Sequence, residues 1–338
     1  MNIENLKNEL IANIKSDIPV MITGAPGIGK SDLVREVAET IKPGAPVCDI
    51  RLSQFDPTDL AGLPFPDLKN GTVKRLTDSL LPQKAVDFGL LFLDEITSAP
   101  PAVAAAAYQL VLDRKCGGYT LPEGWMIIAA GNGLTDRGVV NPMPSPLANR
   151  FSHYTLEADI TEWIKWAIDT HIDPRIAAFL RSRPELLYNL EKGRDIRAFA
   201  SPRSWAMLSR RIKSETVTDY FQTAPAFVGD GPGREFAAAL DIMSDIPSLE
   251  MITNNPGDAD IPTKPAALYA VMLMLSYHTT PETFPIFWEY AKRFQEREYT
   301  VIYINDVIQK MKNTPDLELI KVTPAFIDYA TTYADIVF

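Results

Sequence analysis

The stretch Gly24-Ala25-Pro26-Gly27-Ile28-Gly29-Lys30-Ser31 constrains this chain more than any other. Its spacing is that of a phosphate-binding loop, G-x-x-x-x-G-K-[ST]. Ile18 to Thr23 ahead of it is a short apolar run rich in β-branched residues, predicted as a strand. Leu33, Val37 and Ile41 follow at helical spacing. A chain that turns from strand into helix at these glycines brings its backbone close to phosphate oxygens. Several N–H groups then converge there, and the helix N-terminus adds partial positive charge. Lys30 is expected to reach the β- and γ-phosphates of a nucleotide, and the Ser31 hydroxyl to bind Mg²⁺. The alternative is a glycine turn that only links strand to helix. With glycine at about 7% of residues, the full pattern arises by chance in roughly one per cent of chains this long, and its flanks lower that further.

The next strong signal is Leu90-Leu91-Phe92-Leu93-Asp94-Glu95. Four apolar residues suit a central strand buried on both faces, and two carboxylates stand at its C-terminal end, where open α/β sheets place ligands. Asp94 is expected to hold Mg²⁺ and Glu95 to accept a proton from the attacking water. A helix N-terminus also favours acids. That reading loses ground once the phosphate loop, about sixty residues upstream, is taken with it. Trp125 to Ala130 reads as another apolar strand, ending at Gly131-Asn132-Gly133. An amide at Asn132 can orient the lytic water, or the asparagine can simply favour a turn.

Two arginines stand out. Arg150, in Leu147-Ala148-Asn149-Arg150-Phe151, lies just before a predicted strand over Tyr154–Leu156. At a subunit edge it could reach a neighbour's γ-phosphate as an arginine finger. A local salt bridge accounts for it too, and Arg137 carries the same ambiguity with a weaker case. Ser201-Pro202-Arg203 opens a helix with Ser as N-cap and Pro at the first position. A cation in the first turn opposes the helix dipole, so Arg203 points to an anion such as a phosphate.

Between these landmarks, Ile3, Leu6, Leu10 and Ile14 mark an amphipathic helix, and Pro43-Gly44-Ala45-Pro46 ends the helix after the loop. Val47–Leu52 is expected as a second strand. Asn70-Gly71 predicts a projecting hairpin over residues 63–77. It is either a plain surface hairpin or a finger facing a substrate or pore. Ala102–Leu112 is an alanine-rich helix, and Gly117-Gly118 within Arg114–Leu121 is a second hairpin candidate. From about residue 160 the pattern is helical only. Trp163, Trp166 and Ala167 share one face, Ile176, Phe179 and Leu180 another, and Trp205, Leu208 and Ile212 a third. Thr216–Pro262 is expected to be looser, with loops at Gly229–Gly233 and Asn254–Gly257. Helices are then predicted over Ala266–Tyr277, Phe284–Arg297, Val301–Met311 and Ala325–Ile336, with Trp288, Tyr290 and Phe294 in the core.

Length and charge bound the remainder. At 338 residues and 46% hydrophobic content the chain is expected to form about two domains with ample cores. A formal net charge of −10 argues against broad, sequence-blind nucleic-acid binding. Cys48 and Cys116 have no metal or redox spacing, so a reduced, cytoplasmic setting is expected. His153, His171 and His278 show no ligand spacing. Met1–Lys15 reads as a helix and not as a targeting signal. The apolar run Ala266–Leu275 is far short of the ~20 residues a membrane helix needs, so no membrane role is expected.

Taken together these residues resemble the AAA+ ATPases, and among them the MoxR-type group, over residues 18 to about 213. In that resemblance Gly24–Ser31 corresponds to Walker A and Leu90–Glu95 to Walker B. Asn132 falls at the sensor 1 position. Arg150 falls at the arginine finger, in Asn-Arg-Phe where the family often has Asp-Arg-Phe, and Arg203 at sensor 2. Asp59-Leu60-Ala61-Gly62 with its hairpin looks like the helix 2 insert, and residues 114–121 like the pre-sensor 1 hairpin. The resemblance implies an α/β fold. A P-loop α-β-α core would cover residues 1–158 and a helical lid 159–215, with an additional helical extension, 216–338, for which the resemblance names no counterpart. It further implies a homo-oligomeric ring, commonly a hexamer, with ATP and Mg²⁺ between neighbours. Such enzymes are chaperone-like remodelers of a partner protein complex, often one with a von Willebrand factor A-type domain. A nucleic-acid motor or loader on the same core is the alternative, with Lys69, Lys74, Arg75, Arg114 and Lys115 as its only hairpin cations. No Asn-Lys-x-Asp guanine signature is present, and the preference for adenine rests on the resemblance.

Overall fold

In the computed structural model, residues 1–133, 143–190, 197–214, 217–243, 246–312 and 314–333 are described. The chain divides into two compact units, Met1–Glu157 and Ala158–Phe338. Arg137 lies outside the described residues.

The first unit runs α1 (Ile3–Lys15), β1 (Val20–Thr23), α2 (Lys30–Ile41), β2 (Val47–Arg51), α3 (Pro57–Ala61), β3 (Leu63–Asp67), β4 (Thr72–Leu76), β5 (Gly89–Asp94), α4 (Pro101–Asp113), β6 (Lys115–Cys116), β7 (Tyr119–Thr120), β8 (Trp125–Gly131), α5 (Ser145–Ala148) and β9 (Ser152–Thr155). Among the described residues, β2, β5, β8, β1 and β9 form one parallel sheet in that order. The run Leu90–Leu93 and most of β8 are buried, as strands covered on both faces must be. On one face, Leu91, Leu93, Ile127 and Ala129 pack with Val103, Ala107 and Leu110 of α4. All five carboxyl ends point the same way, so the loops after β1, β2, β5 and β8 gather at one edge.

Strand boundaries differ slightly from expectation. β1 starts at Val20 because Pro19 has no N–H to give to a ladder and Ile18 is exposed. β9 starts at Ser152, whose N–H donates to Pro19 O at 3.0 Å. β3 and β4 form the expected antiparallel hairpin outside the sheet, and β6 and β7 a smaller one.

The second unit is helical: α6 (Ile160–Asp169), α7 (Pro174–Ser182), α8 (Pro202–Ser214), α9 (Tyr220–Val228), α10 (Asp230–Met243), α11 (Leu249–Asn254), α12 (Pro265–His278), α13 (Phe284–Ala291), α14 (Arg297–Met311), α15 (Asp316–Lys321) and α16 (Pro324–Thr332). The expected lid, 159–215, and the expected extension, 216–338, lie together in this unit. One apolar cluster holds Trp163, Phe179 and Trp205 together with Val228, Phe236 and Leu273, so packing runs straight across residue 215. α12 is apolar on every side. It gives Ala270 and Leu273 to that cluster, and Val271, Met272 and Leu275 to a second one built on α13 and α14. That burial accounts for the apolar run there, and no helix of the described residues is long and apolar enough to cross a membrane.

Three expectations change here. Trp166 is exposed, while Trp163 and Ala167 are buried. Gly229–Gly233 is not an open loop. Gly229 ends α9, its N–H bonding Pro225 O at 3.0 Å, and α10 begins at the next residue. Pro232 falls in the first turn of α10, where a missing N–H costs nothing. Finally, the long helix expected over Phe284–Arg297 ends at Ala291, and α14 starts afresh at Arg297.

Candidate nucleotide-binding site

The loop that follows β1 ends on Gly29, which caps α2 at φ 104°, a left-handed conformation that favours glycine. α2 thereby starts at Lys30, and its buried face of Leu33, Val34, Val37 and Ala38 fixes it against the sheet. Its amino terminus therefore lies at the carboxyl edge of the sheet. The Lys30 ammonium turns back over its own loop, donating to Gly24 O at 2.6 Å and Ala25 O at 3.1 Å. It also reaches Asn132 Oδ1, just past the end of β8, at 3.5 Å.

One residue on, Ser31 Oγ donates to Asp94 Oδ2 at 3.3 Å. The other oxygen of Asp94 accepts the Glu95 N–H at 2.8 Å. Burial pushes the Asp94 carboxyl above its ordinary range, opposed by that hydrogen bond and by the charge of Lys30. Glu95 holds a left-handed backbone, φ 58°, rare for a residue with a side chain. Its carboxylate accepts a hydrogen bond from Ser53 Oγ, just beyond β2. Asn132 is held through its backbone: its N–H donates to Thr97 Oγ1 at 3.1 Å.

Lys30, Ser31, Asp94, Glu95 and Asn132 are thus brought together at one edge. The donor set fits magnesium, which takes hydroxyl and carboxylate oxygens. A lysine beside a helix amino terminus supplies the positive charge that a polyphosphate needs. Ser53 and Thr97 also belong to this cluster and are missed by sequence reasoning. The signal that could have found them is position, since each is a polar residue just after a parallel strand of the sheet, on the edge where such sheets take ligands.

The two arginines are placed elsewhere. The register pairs Ser152 with Val20, so Arg150 stands near the level of Ile18, at the amino-terminal edge of the sheet. Six residues of extended chain, about 20 Å, separate Ile18 from Gly24 at the start of the phosphate loop. Arg150 is exposed, and among the described residues its guanidinium makes one long hydrogen bond, 3.5 Å to Leu112 O, and no ion pair. Arg203 is in the second unit, exposed in the first turn of α8. The cap of that helix is as expected, with Ser204 N–H donating to Ser201 Oγ at 3.2 Å.

Comparison with known proteins agrees with this geometry. Residues 19–151 match the AAA domain of the dynein-related subfamily. Midasin of Giardia intestinalis is 26% identical over 190 residues, which are 52% of this chain and 4% of that protein. The chain therefore spans only a small part of that curated relative's length. Among solved structures, a RuvB variant of Thermotoga maritima aligns with 71% of this chain and 70% of its own, at 18% identity and TM-score 0.39. NtrX of Brucella abortus, in complex with ADP, aligns with 98% of this chain and 68% of its own, at 13% identity and TM-score 0.41. These two likenesses are too distant to add to the fold. The parallel sheet, its phosphate loop and the matched model together give residues 19–151 the P-loop α/β fold of an AAA domain.

Proposed function

We propose that this chain is an ATP-hydrolysing, chaperone-like remodeler of the MoxR type. In this reading it works in the cytoplasm as a homo-oligomeric ring, a hexamer, and assembles or activates a partner protein complex. The loop Gly24–Ser31 binds the phosphates of ATP. Ser31 and Asp94 hold Mg²⁺. Glu95 takes the proton of the attacking water, which Asn132 orients. Arg150 completes the site of the next copy, and Arg203, on the helical lid of residues 159–215, answers to the same phosphate. The partner is a protein, of the kind that carries a von Willebrand factor A-type domain.

One observation carries the reading: five polar groups suited to a magnesium-bound triphosphate converge at one sheet edge, while Arg150 is exposed at the opposite edge. An arginine so placed is out of reach of its own loop and available to a neighbour.

Glu95→Gln tests the chemistry. It keeps the size and the hydrogen bonding of the side chain and removes the base. ATP binding is expected to persist while turnover falls by about 10²- to 10⁴-fold. Wild-type turnover in that variant would remove Glu95 from the role. The same variant, held in ATP, should retain its client during purification. A turnover that rises with added DNA or RNA and loses the rise at higher salt would point to a nucleic-acid motor instead.

A further inference from the structure

The hairpin of β3 and β4 exposes apolar side chains that nothing in its own unit covers. Leu68 at the tip is 90% exposed, Val73 67% and Phe65 55%, and Leu63 and Leu76, paired across the base, are also exposed. Soluble chains rarely present so many branched and aromatic side chains on one short element unless something binds there.

The finger is held at its base. The turn of the smaller hairpin packs on it with no space to spare: a Cβ on Gly118 would lie 2.6 Å from Arg75 Cβ, and one on Gly117 2.2 Å from Ala61 O. Gly118 N–H donates to Ala61 O at 3.0 Å, and Arg75 Nη1 to Gly62 O at 3.0 Å. Its β3 edge is closed to strand addition, because Pro64 and Pro66 alternate along β3 and neither has an N–H. Along that edge, whatever binds must do so through side chains.

Charge narrows the class. Over residues 63–76 stand Lys69, Lys74 and Arg75 against Asp67 alone, on a chain of formal charge −10. Asp67 is already engaged by Lys74 at 2.7 Å. The finger is thus cationic and apolar on an acidic molecule. Single-stranded nucleic acid asks for aromatic platforms on which bases stack, and this finger has one aromatic ring and several aliphatic side chains.

We infer that the β3–β4 finger is a docking surface for a protein segment that carries acidic and apolar side chains together, gripped by the finger's exposed apolar and cationic side chains. The inference rests on the remodeler reading for its purpose. Binding is measured without nucleotide, so its failure and a failure of ATP hydrolysis are separate results.

The probe is a fluorescein-labelled peptide of alternating Glu and Leu, fourteen residues long. Fluorescence anisotropy follows its binding to the full chain, beside a peptide with Lys for Glu and a single-stranded oligothymidylate of equal length. The Glu peptide is expected to bind and the other two not. Phe65→Ser with Leu68→Ser is expected to weaken it about tenfold or more, since two large apolar contacts are lost. Lys69→Glu is expected to weaken it severalfold and to shift preference toward the Lys peptide. This surface variant decides the matter if the double variant fails to fold, as judged by its thermal melt. Equal binding of all three probes, equal binding by the variants, or no binding by the wild type would overturn the inference. So would sedimentation showing that the double variant dissociates copies of the chain, because the occupant would then be a second copy.

Discussion

Asp94 and Glu95 are adjacent carboxylates whose surroundings set them apart. Asp94 is enclosed and tied to Ser31, and Glu95 turns away through its left-handed backbone to Ser53. Burial holds the Asp94 carboxyl above its ordinary range, so the folded state keeps that proton more tightly than the unfolded one. Ionised Asp94 therefore costs stability above the raised value, and the cost vanishes as pH falls to the unfolded range, near 3.9. Asp94→Asn is accordingly expected to raise the nucleotide-free urea midpoint at pH 7, with the gap over wild type closing toward pH 4. The same substitution should abolish the gain that ATP and magnesium give the wild type. A gap that widens on acidification would contradict burial as the cause. Most of this cluster was legible in the chain, because loop spacing and an acidic strand end are local patterns. Ser53 and Thr97 were not, because they join only when β2, β5 and β8 lie side by side.

At the scale of elements, the reading succeeded where one short pattern decides the outcome. Asn70-Gly71 marked the hairpin, and the apolar run Ala266–Leu275 marked a helix too short for a membrane, which α12 is, packed into two apolar clusters. It failed at Gly229–Gly233, where turn-forming composition pointed one way and packing the other. Gly233 lies so close to Pro225 that a Cβ there would approach its backbone nitrogen to 2.4 Å, so the glycine serves a helix contact and not a loop. Long-range polar ties were equally invisible. Arg181 of α7 grips Asp306 of α14 through two hydrogen bonds, 2.8 and 2.9 Å, with both side chains nearly buried. Asp306→Ala would leave that guanidinium enclosed and unpaired, and a loss of about 3–5 kcal/mol is expected in urea melts. Arg181→Met with Asp306→Leu should recover most of it. A single variant as stable as wild type would show the pair to be idle.

At the scale of the whole molecule, the sheet register separates what the sequence could only enumerate. The phosphate loop and its carboxylates occupy one edge, and Arg150 the other. In the proposed ring each copy binds ATP with its own loop and depends on its neighbour's arginine. Arg150→Ala alone is then expected to bind nucleotide and lose about 10³- to 10⁵-fold in turnover. The decisive measurement mixes this variant with Glu95→Gln, each inactive by itself. Where a copy with intact Glu95 meets a neighbour with intact Arg150, a complete site re-forms. Random assortment at equal amounts should restore about a quarter of wild-type turnover. A mixture no more active than its separate components would contradict a site shared between copies.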